Sequence, residues 1–242
     1  DLPHVLLWTD TPCAYQAAIT AAGLERRVVV QTLARAATPS AEQRARTEAL
    51  LAWGAPAGLL PSMPKLRWAQ ALTAGVESWL ALPDLPAGLA LTCARGTHGQ
   101  SMPENILGAL FHIAKPYAAA AEDQKRLAWT RRMATPLNGA TLGILGMGAI
   151  GQAVARLALA LGMRVLGTNR RGATLAGAEI LPPERTDEVL AQADYLLLLL
   201  PATPETENFI NAPRLARMKK TAWLLNFGRG HLIDDAALIA AV

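Results

Sequence analysis

Apolar residues along the chain occur in two patterns. Short continuous runs are typical of strands that a parallel sheet buries on both faces, and longer stretches with an apolar residue every three or four positions are typical of helices. In the first half of the chain the runs predict strands at residues 4–9, 27–31, 57–60, 66–72 and 89–93, and the periodic stretches predict helices at 14–22 and 40–52. Strands that alternate with helices in this way predict a parallel sheet of the α/β class.

The second half continues the alternation. A helix at 102–120 is expected to lead into a second domain, with Ser101 as its N-cap and Glu104 completing a capping box. Strands are predicted at 142–145, 164–168, 178–181, 193–200 and 222–226, with helices at 153–161, 187–192, 212–218 and 234–242. We therefore predict an α/β chain of two parallel-sheet domains, at 1–99 and at 100–242, the second with the strand and helix order of a Rossmann domain. A complete Rossmann sheet normally has a sixth strand after the last helix, so we expect this domain to be truncated.

A glycine-rich turn follows the strand at 142–145. The spacing Gly146-x-Gly148-x-x-Gly151 allows a tight turn, close approach of the backbone to a diphosphate, and close packing of the next helix on the strand. Free N–H groups at the start of that helix would then face the diphosphate. A structural turn without ligand is the alternative. The expected cofactor contacts are Gly146, Met147, Gly148, Ala149, Ile150 and Gly151.

The end of the next strand indicates which cofactor is bound. An NAD site usually has Asp or Glu about 20 residues after the glycines, where it binds the ribose 2′-hydroxyl. This chain has Asn169, Arg170 and Arg171 there. No carboxylate repels a 2′-phosphate, and two guanidiniums can pair with it. We therefore expect these residues to bind NADP in preference to NAD, with ordinary solvated arginines as the alternative.

Composition excludes several classes of function. Of the 242 residues 52% are hydrophobic and 17% charged, which is enough for one large core or two moderate ones. The longest leucine run ends at Pro201, so we expect no membrane span, and the N-terminus has no signal-peptide pattern. The two cysteines, Cys13 and Cys93, have no metal-binding or redox spacing and suit a reducing cytoplasm. The basic residues are scattered and not interleaved with aromatic residues, so the net charge of +4 does not indicate nucleic acid binding.

Four segments together resemble the D-isomer-specific 2-hydroxyacid dehydrogenases. They are LTAGVE at 72–77, the glycine-rich segment at 137–151, LPATPETE at 200–207, and LNFGRG at 225–230 followed by two aspartates. Their order and spacing are more specific than any one of them. The sequence WGAP at 53–56, the loop at 74–76 and Trp129 are also similar to the glyoxylate/hydroxypyruvate reductase branch. That branch typically uses NADPH, in agreement with the arginines after the second strand of the Rossmann domain.

The resemblance implies a flavodoxin-like substrate-binding domain at 1–99, a Rossmann dinucleotide-binding domain at 100–242, and a role for each matching residue. Arg229 corresponds to the family's catalytic arginine, which pairs with the substrate carboxylate and polarises the keto oxygen. Backbone N–H groups of Ala74 and Gly75 would hold the same carboxylate, and Trp53 and Trp8 could line the pocket, with simple packing as their alternative. The residues expected beside the cofactor after the fourth and fifth strands are Leu200, Pro201, Thr206, Phe227 and Gly228.

The family's proton donor has no match in this sequence. In the family a His paired with a Glu follows the last of the matching segments, and none of the four histidines here, at 4, 98, 112 and 231, lies in that motif. His231, two residues from Arg229, is an alternative acid, although a structural or solvated role is more typical of such a residue. We expect that the family pattern continues beyond Val242.

These observations predict an NADPH-dependent enzyme that reduces a small 2-ketoacid, such as glyoxylate or hydroxypyruvate, to a D-2-hydroxyacid. We expect a cytoplasmic homodimer that needs no metal and binds neither nucleic acid nor membranes. Two alternatives remain open. One is a non-catalytic regulator that senses a dinucleotide on the same scaffold, and the other is a reductase of bulkier 2-ketoacids.

Overall fold

A computed structural model describes residues 2–242 of the chain. These residues form two compact units, of which the first ends at Thr97 and the second runs from His98 to Val242. Each unit contains one five-stranded sheet whose strands are all parallel. The structure therefore confirms the predicted α/β class with two parallel sheets.

The first unit has the flavodoxin strand order. Its strands are β1 (His4–Trp8), β2 (Val29–Leu33), β3 (Ala49–Ala52), β4 (Trp68–Ala71) and β5 (Ala90–Cys93), and its helices are α1 (Pro12–Ala21), α2 (Ala41–Arg46) and α3 (Glu77–Leu80). The order in the sheet is β2-β1-β3-β4-β5, which is the doubly wound order of flavodoxin-like domains. Leu6, Leu50, Ala69 and Trp79 are at most 1% exposed and form the centre of its core.

The second unit has the Rossmann order. It consists of α4 (Ser101–Ala114), α5 (Tyr117–Lys125), β6 (Thr141–Leu145), α6 (Ala149–Ala160), β7 (Arg164–Thr168), β8 (Ala178–Leu181), α7 (Thr186–Gln192), β9 (Tyr195–Leu198), α8 (Ala212–Leu215), β10 (Trp223–Asn226) and α9 (Asp235–Ala241). The order in the sheet is β10-β9-β6-β7-β8. The order changes direction between β6 and β9, and in open α/β sheets the ligand crevice lies at that point.

The central strand β6 is buried on both faces, as its continuous apolar run predicts. Leu142 and Ile144 pack into one core cluster with α4 and α6, whereas Leu145 packs into a second cluster with α7. A Cβ on Gly143 would lie 2.9 Å from side-chain atoms of Val189 and Ala193, so α7 approaches the strand where a side chain is missing. Two covered faces leave only the carboxyl edge of the sheet for a ligand.

Two predicted elements of the first unit are wrong. The helix predicted over 40–52 ends at Arg46, and its apolar end forms β3, because Ala49, Leu50 and Ala52 fill the middle of the sheet. The strand predicted at 57–60 is a turn and the start of a short 3-10 helix. Gly58 there has a φ of +83°, and its N–H donates to the Asp84 carboxylate.

The long helix predicted at 102–120 is also wrong, because it is two helices. Pro116 disfavours the helical conformation of the residue before it, and Lys115 is extended, with φ −117° and ψ 144°. Helix α4 therefore ends at Ala114, and α5 begins at Tyr117. The predicted cap is wrong as well, since Ser101 is already helical and Gln100 holds the N-cap position without a side-chain hydrogen bond.

Candidate functional site

The predicted cofactor residues lie at the carboxyl edge of the second sheet. Gly146 follows β6, Asn169 follows β7, Leu200 and Pro201 follow β9, and Phe227 follows β10. Because these strands are parallel and neighbouring, their carboxyl ends meet along one edge, on both sides of the change in strand order. This is the place where Rossmann sheets bind a dinucleotide.

The three glycines of the turn have different surroundings. Gly146 has a φ of +110°, and a Cβ there would lie 2.8 Å from the Leu199 carbonyl oxygen. A Cβ on Gly151 would lie 2.5 Å from the Gly146 oxygen, so a side chain would separate α6 from the turn. A Cβ on Gly148 would meet nothing within 4 Å. Gly146 and Gly151 are therefore required by the fold, whereas Gly148 leaves open space beside the backbone.

The start of α6 has the donors that a diphosphate needs. Gly148 is its N-cap and provides no side chain to satisfy the first N–H groups. The Gln152 N–H donates to the Gly148 oxygen at 2.9 Å, and the N–H groups of Ala149, Ile150 and Gly151 precede it in the first turn. Such groups have no intrahelical acceptor and carry the positive end of the helix dipole. They can therefore bind an anionic diphosphate.

Met147 contributes to this turn through its backbone. Its side chain is completely buried and packs where Gly167 lacks one. Its N–H donates to the Thr168 oxygen at 2.9 Å, which fixes the turn to the end of β7. Its carbonyl accepts from the Asn169 side-chain amide at 2.8 Å. The predicted cofactor contact of Met147 would therefore be a backbone contact.

The Asn169 side chain organises the loop that carries the two arginines. Its Oδ1 accepts from the Arg171 N–H at 2.6 Å and from the Ala173 N–H at 3.2 Å. Arg170 and Arg171 are themselves exposed. The two guanidiniums thus belong to a loop whose backbone is held by the neutral side-chain amide of Asn169.

A cavity of about 530 Å³ lies between this loop and the end of β8. It is lined by Asn169, Arg170, Gly172, Ala173 and residues 180–184. Arg170 brings one positive charge to the cavity and Glu184 one negative charge, whereas Arg171 is outside the lining. The cavity follows the strand where Rossmann domains bind the adenosine ribose. Its chemistry fits an adenosine that carries a 2′-phosphate facing Arg170.

The loop after β9 is closed by threonine hydroxyls. The Thr206 Oγ1 lies 2.7 Å from the Pro201 oxygen and accepts from the Thr203 N–H at 2.8 Å. A hydrogen bond from the Thr203 side chain lowers the pKa of Glu205. The positive charge of Arg170 also lowers this pKa, by a smaller amount. The β9 loop is therefore within electrostatic range of the arginine loop.

Arg229 follows β10 on a loop that a second asparagine holds. Asn226 accepts from the Gly228 N–H at 3.0 Å and donates to the Arg229 oxygen at 2.8 Å. A Cβ on Gly228 would lie 3.0 Å from the Leu200 oxygen, so the β10 loop packs directly on the β9 loop. The Arg229 side chain is exposed at this edge. His231 is exposed, and its backbone oxygen accepts from the Asn208 N–H at 2.8 Å.

The predicted substrate residues lie at the carboxyl edge of the first sheet. Ala74 and Gly75 follow β4, and the Thr73 hydroxyl donates to the Gly75 oxygen at 2.6 Å. Trp53 follows the neighbouring β3, is 39% exposed, and donates from Nε1 to the Thr9 hydroxyl at 3.2 Å. These residues thus lie at the ends of two adjacent strands.

Trp8 and Arg35 differ from the sequence-based expectation. Trp8 is only 8% exposed, packs in the core and donates to the Ala34 oxygen, so it has a packing role. The guanidinium of Arg35 lies 5.8 Å from the centre of the Trp53 ring, within the range of a cation–π contact. Sequence reasoning missed Arg35, because the predicted second strand ended at residue 31 whereas β2 ends at Leu33. With the correct bound, a cation directly after β2 would have been a candidate.

Comparison with known proteins identifies the family. Residues 107–242 match the model for the NAD binding domain of D-isomer specific 2-hydroxyacid dehydrogenases. The chain belongs to the D-isomer specific 2-hydroxyacid dehydrogenase family. A protein of Haemophilus influenzae that is named as a 2-hydroxyacid dehydrogenase is 35% identical over 191 residues, which cover 76% of this chain. The match covers 60% of that relative, so the chain spans less than two thirds of its length.

Solved structures of the 2-hydroxyacid dehydrogenase family superpose on both units. A family protein from Aeromonas salmonicida is 31% identical with a TM-score of 0.86, and the match covers 100% of this chain and 77% of that one. An NADPH-dependent glyoxylate/hydroxypyruvate reductase from Sinorhizobium meliloti, solved with NADP and sulfate, is 26% identical with a TM-score of 0.80, covering 98% and 76%. The resemblance inferred from the four sequence segments is therefore confirmed.

Between residues 2 and 242 no helix is long and apolar enough to cross a membrane. In the same part of the chain no three or more His, Cys, Asp or Glu side chains are grouped so that they could hold a metal ion.

Proposed function

We propose that this protein is an NADPH-dependent reductase of small 2-ketoacids of the glyoxylate and hydroxypyruvate type, producing D-2-hydroxyacids. The observation that carries the proposal is the end of β7, where a neutral Asn169 stands in place of an acid and Arg170 lines the adjoining cavity. A carboxylate there would repel a 2′-phosphate, whereas a guanidinium pairs with it. The NADPH dependence named for the Sinorhizobium meliloti reductase supports the same choice.

The cofactor would lie along the carboxyl edge of the second sheet. The first-turn N–H groups of α6 would hold the diphosphate beside Gly148, and Gly228 and Phe227 would face the nicotinamide. Leu200, Pro201 and Thr206 would pass beside the adenosine and the diphosphate. NADPH, when bound, supplies a hydride for the keto carbon. The surroundings of Gly148 fit the diphosphate, because open space and unpaired donors occur at the same turn.

Arg229 would act on the substrate. Its guanidinium would pair with the 2-ketoacid carboxylate and polarise the keto oxygen, whose negative charge grows as the carbonyl is reduced. In the first unit, Ala74 and Gly75 would bind a substrate carboxylate through backbone N–H groups, and Trp53 would form a wall of the substrate pocket. The domain boundary that we propose lies near residue 100, at the start of α4.

A steady-state assay tests this function. The full-length protein should oxidise NADPH with glyoxylate or hydroxypyruvate, and kcat/KM should be higher with NADPH than with NADH. A protein that binds NADPH and turns over neither ketoacid would instead be a dinucleotide-sensing regulator. Higher kcat/KM with an aryl pyruvate would assign the bulkier substrate class.

We also propose a homodimer. The segment after α5 exposes apolar side chains, with Leu127 96%, Trp129 98% and Met133 81% exposed. Asp123, only 6% exposed, pairs with Arg126 and Arg132 on both sides of this segment and holds its two ends together. Burying these side chains against a second copy would remove a large apolar area from water. Light scattering should report a dimer, and Leu127→Ser with Trp129→Ser should shift it toward monomer.

The cytoplasm is the compartment that we propose. Cys13 and Cys93 are both free thiols, as is usual where glutathione and thioredoxin keep cysteines reduced. Measured localisation of the tagged full-length protein would test this assignment.

A further inference from the structure

We propose that Asn169 is a positioning residue that joins the glycine turn to the arginine loop, so that the diphosphate site and the 2′-phosphate site form together. We call its three hydrogen bonds, to Met147, Arg171 and Ala173, the Asn169 latch. The part of this proposal that concerns the 2′-phosphate rests on the proposed NADPH function. The three hydrogen bonds of the latch apply to either dinucleotide.

The first argument is that the side-chain oxygen is already occupied. Its Oδ1 accepts two backbone N–H bonds, from Arg171 at 2.6 Å and Ala173 at 3.2 Å. A carbonyl oxygen has two lone pairs, so no acceptor remains for a ribose hydroxyl. Asp or Glu at this position in an NAD site binds the ribose directly. In this chain the residue acts through other groups instead.

The second argument concerns the peptide that precedes α6. The Asn169 Nδ2 donates to the Met147 oxygen at 2.8 Å, and the Gln152 side chain reaches the same oxygen only at 3.4 Å. The Met147 carbonyl and the Gly148 N–H belong to one planar peptide unit. The Gly148 N–H donates to the Gly146 oxygen at 2.8 Å, so the Asn169 bond holds the carbonyl side of a plane whose N–H side is fixed within the turn. The buried Met147 side chain and the bond from its N–H to Thr168 hold the other side of the turn.

The third argument is that neither an aspartate nor a serine makes all three bonds. An Asp could accept from both N–H groups, but it has no donor for the Met147 oxygen and would place negative charge beside it. A Ser side chain is shorter and has one hydroxyl. An Asn meets both requirements without charge, which leaves the positive charge of Arg170 and Arg171 undiminished.

The test compares three variants of the full-length protein. Asn169→Ala removes the latch, Arg170→Ala with Arg171→Ala removes only the cations, and Asn211→Ala is the matched control. Asn211 also caps a backbone N–H, that of Arg214 at 3.2 Å, but it lies at the start of α8. KM and kcat are measured with both NADPH and NADH.

Asn169→Ala should raise KM for NADPH and for NADH by roughly 5- to 10-fold each, with kcat changed less than about 2-fold. The double arginine variant should raise KM for NADPH alone, and Asn211→Ala should change neither. A loss confined to NADPH in Asn169→Ala would mean direct contact with the 2′-phosphate, and no change with either cofactor would mean no role. Both results overturn the latch.

Asn169→Asp gives a second test that does not depend on the folding of the Ala variant. Under the proposal its KM for NADH does not fall below the wild-type value, because the bond to Met147 is lost. A lower KM for NADH would show ribose binding by the new acid and overturn the latch. If the wild-type protein prefers NADH, the proposed cofactor fails, whereas the equal loss of both cofactors in Asn169→Ala would still support the latch.

Discussion

Two glycines of one turn should respond in opposite ways to the same added methyl group. In Gly146→Ala the new Cβ would lie 2.8 Å from the backbone carbon and oxygen of Leu199, at a φ of +110°. Backbone strain and overpacking each cost about 1–3 kcal/mol. We expect the free energy of unfolding to fall by roughly 2–6 kcal/mol, which lowers Tm by roughly 4–24 °C in a chain of this size.

Gly148→Ala is the matched variant. Its φ of −81° and ψ of −159° suit alanine, and the new Cβ would meet nothing within 4 Å. Stability should be unchanged or should rise by about 0.4–1 kcal/mol, because the unfolded chain loses freedom. The methyl group would occupy the space into which we place the diphosphate. Overlap of about 1–3 kcal/mol should weaken NADPH binding by roughly 5- to 150-fold.

The assay is thermal unfolding of each variant without cofactor, followed by fluorescence titration with NADPH. Gly146→Ala should melt early, and Gly148→Ala should melt like the wild type but bind weakly. Wild-type NADPH affinity in Gly148→Ala would refute the diphosphate position. An unchanged Tm in Gly146→Ala would refute the steric argument for the turn.

Three other predictions follow from the site and its support. Arg229→Lys keeps the charge but loses the bidentate geometry of the guanidinium. The value of kcat/KM for a 2-ketoacid should therefore fall by roughly 10²–10³-fold with little change in NADPH affinity. Full activity of this variant would contradict a catalytic role for Arg229. Trp53→Ala should raise KM for glyoxylate while Tm changes by only a few degrees, since the ring is 39% exposed; an unchanged KM would leave Trp53 a packing residue. Burial raises the pKa of Asp194, but hydrogen bonds from Lys219 and the Thr141 N–H outweigh it and hold the pKa below its ordinary value. The contribution of Asp194 to the free energy of unfolding is therefore present at neutral pH and lost as the pH falls below about 4. Asp194→Asn should lower Tm at pH 7 and make Tm less dependent on pH in the acid range. An equal drop in Tm at all pH values would contradict this reasoning.

The sequence predicts the second unit better than the first. Strand β6 and the glycine turn are read directly, because the apolar run, the glycine spacing and the helix that follows agree with one another. In the first unit the apolar residues 49–52 continue a helical pattern, and only the neighbouring strands β1 and β4 make them a strand. Local pattern cannot distinguish these cases, because a short apolar run fits both a buried helix end and a buried strand.

Local sequence pattern also predicts only part of the candidate site. The position of Arg229 after the fifth strand of the Rossmann sheet is predictable, since both the strand and the motif are local. The hydrogen bond from Asn169 to Met147 is not, because the two residues are 22 positions apart and meet only when β6 and β7 pair. The contact of Arg35 with Trp53 likewise depends on the folded order of β2, β1 and β3.

Asn169 directly follows β7 and Asn226 is the last residue of β10, one strand on each side of the change in strand order, and the two side chains are bonded alike. Asn169 accepts from the N–H two residues later and donates to a backbone carbonyl, and so does Asn226. Each loop also carries an arginine that we assign to an anion, Arg170 to a phosphate and Arg229 to a carboxylate. An aspartate could accept the same N–H bonds, but its charge would pair with the arginine beside it and compete with the ligand. A neutral amide fixes the loop backbone and adds no negative charge beside the arginine, which gives a physical reason for asparagine at both positions.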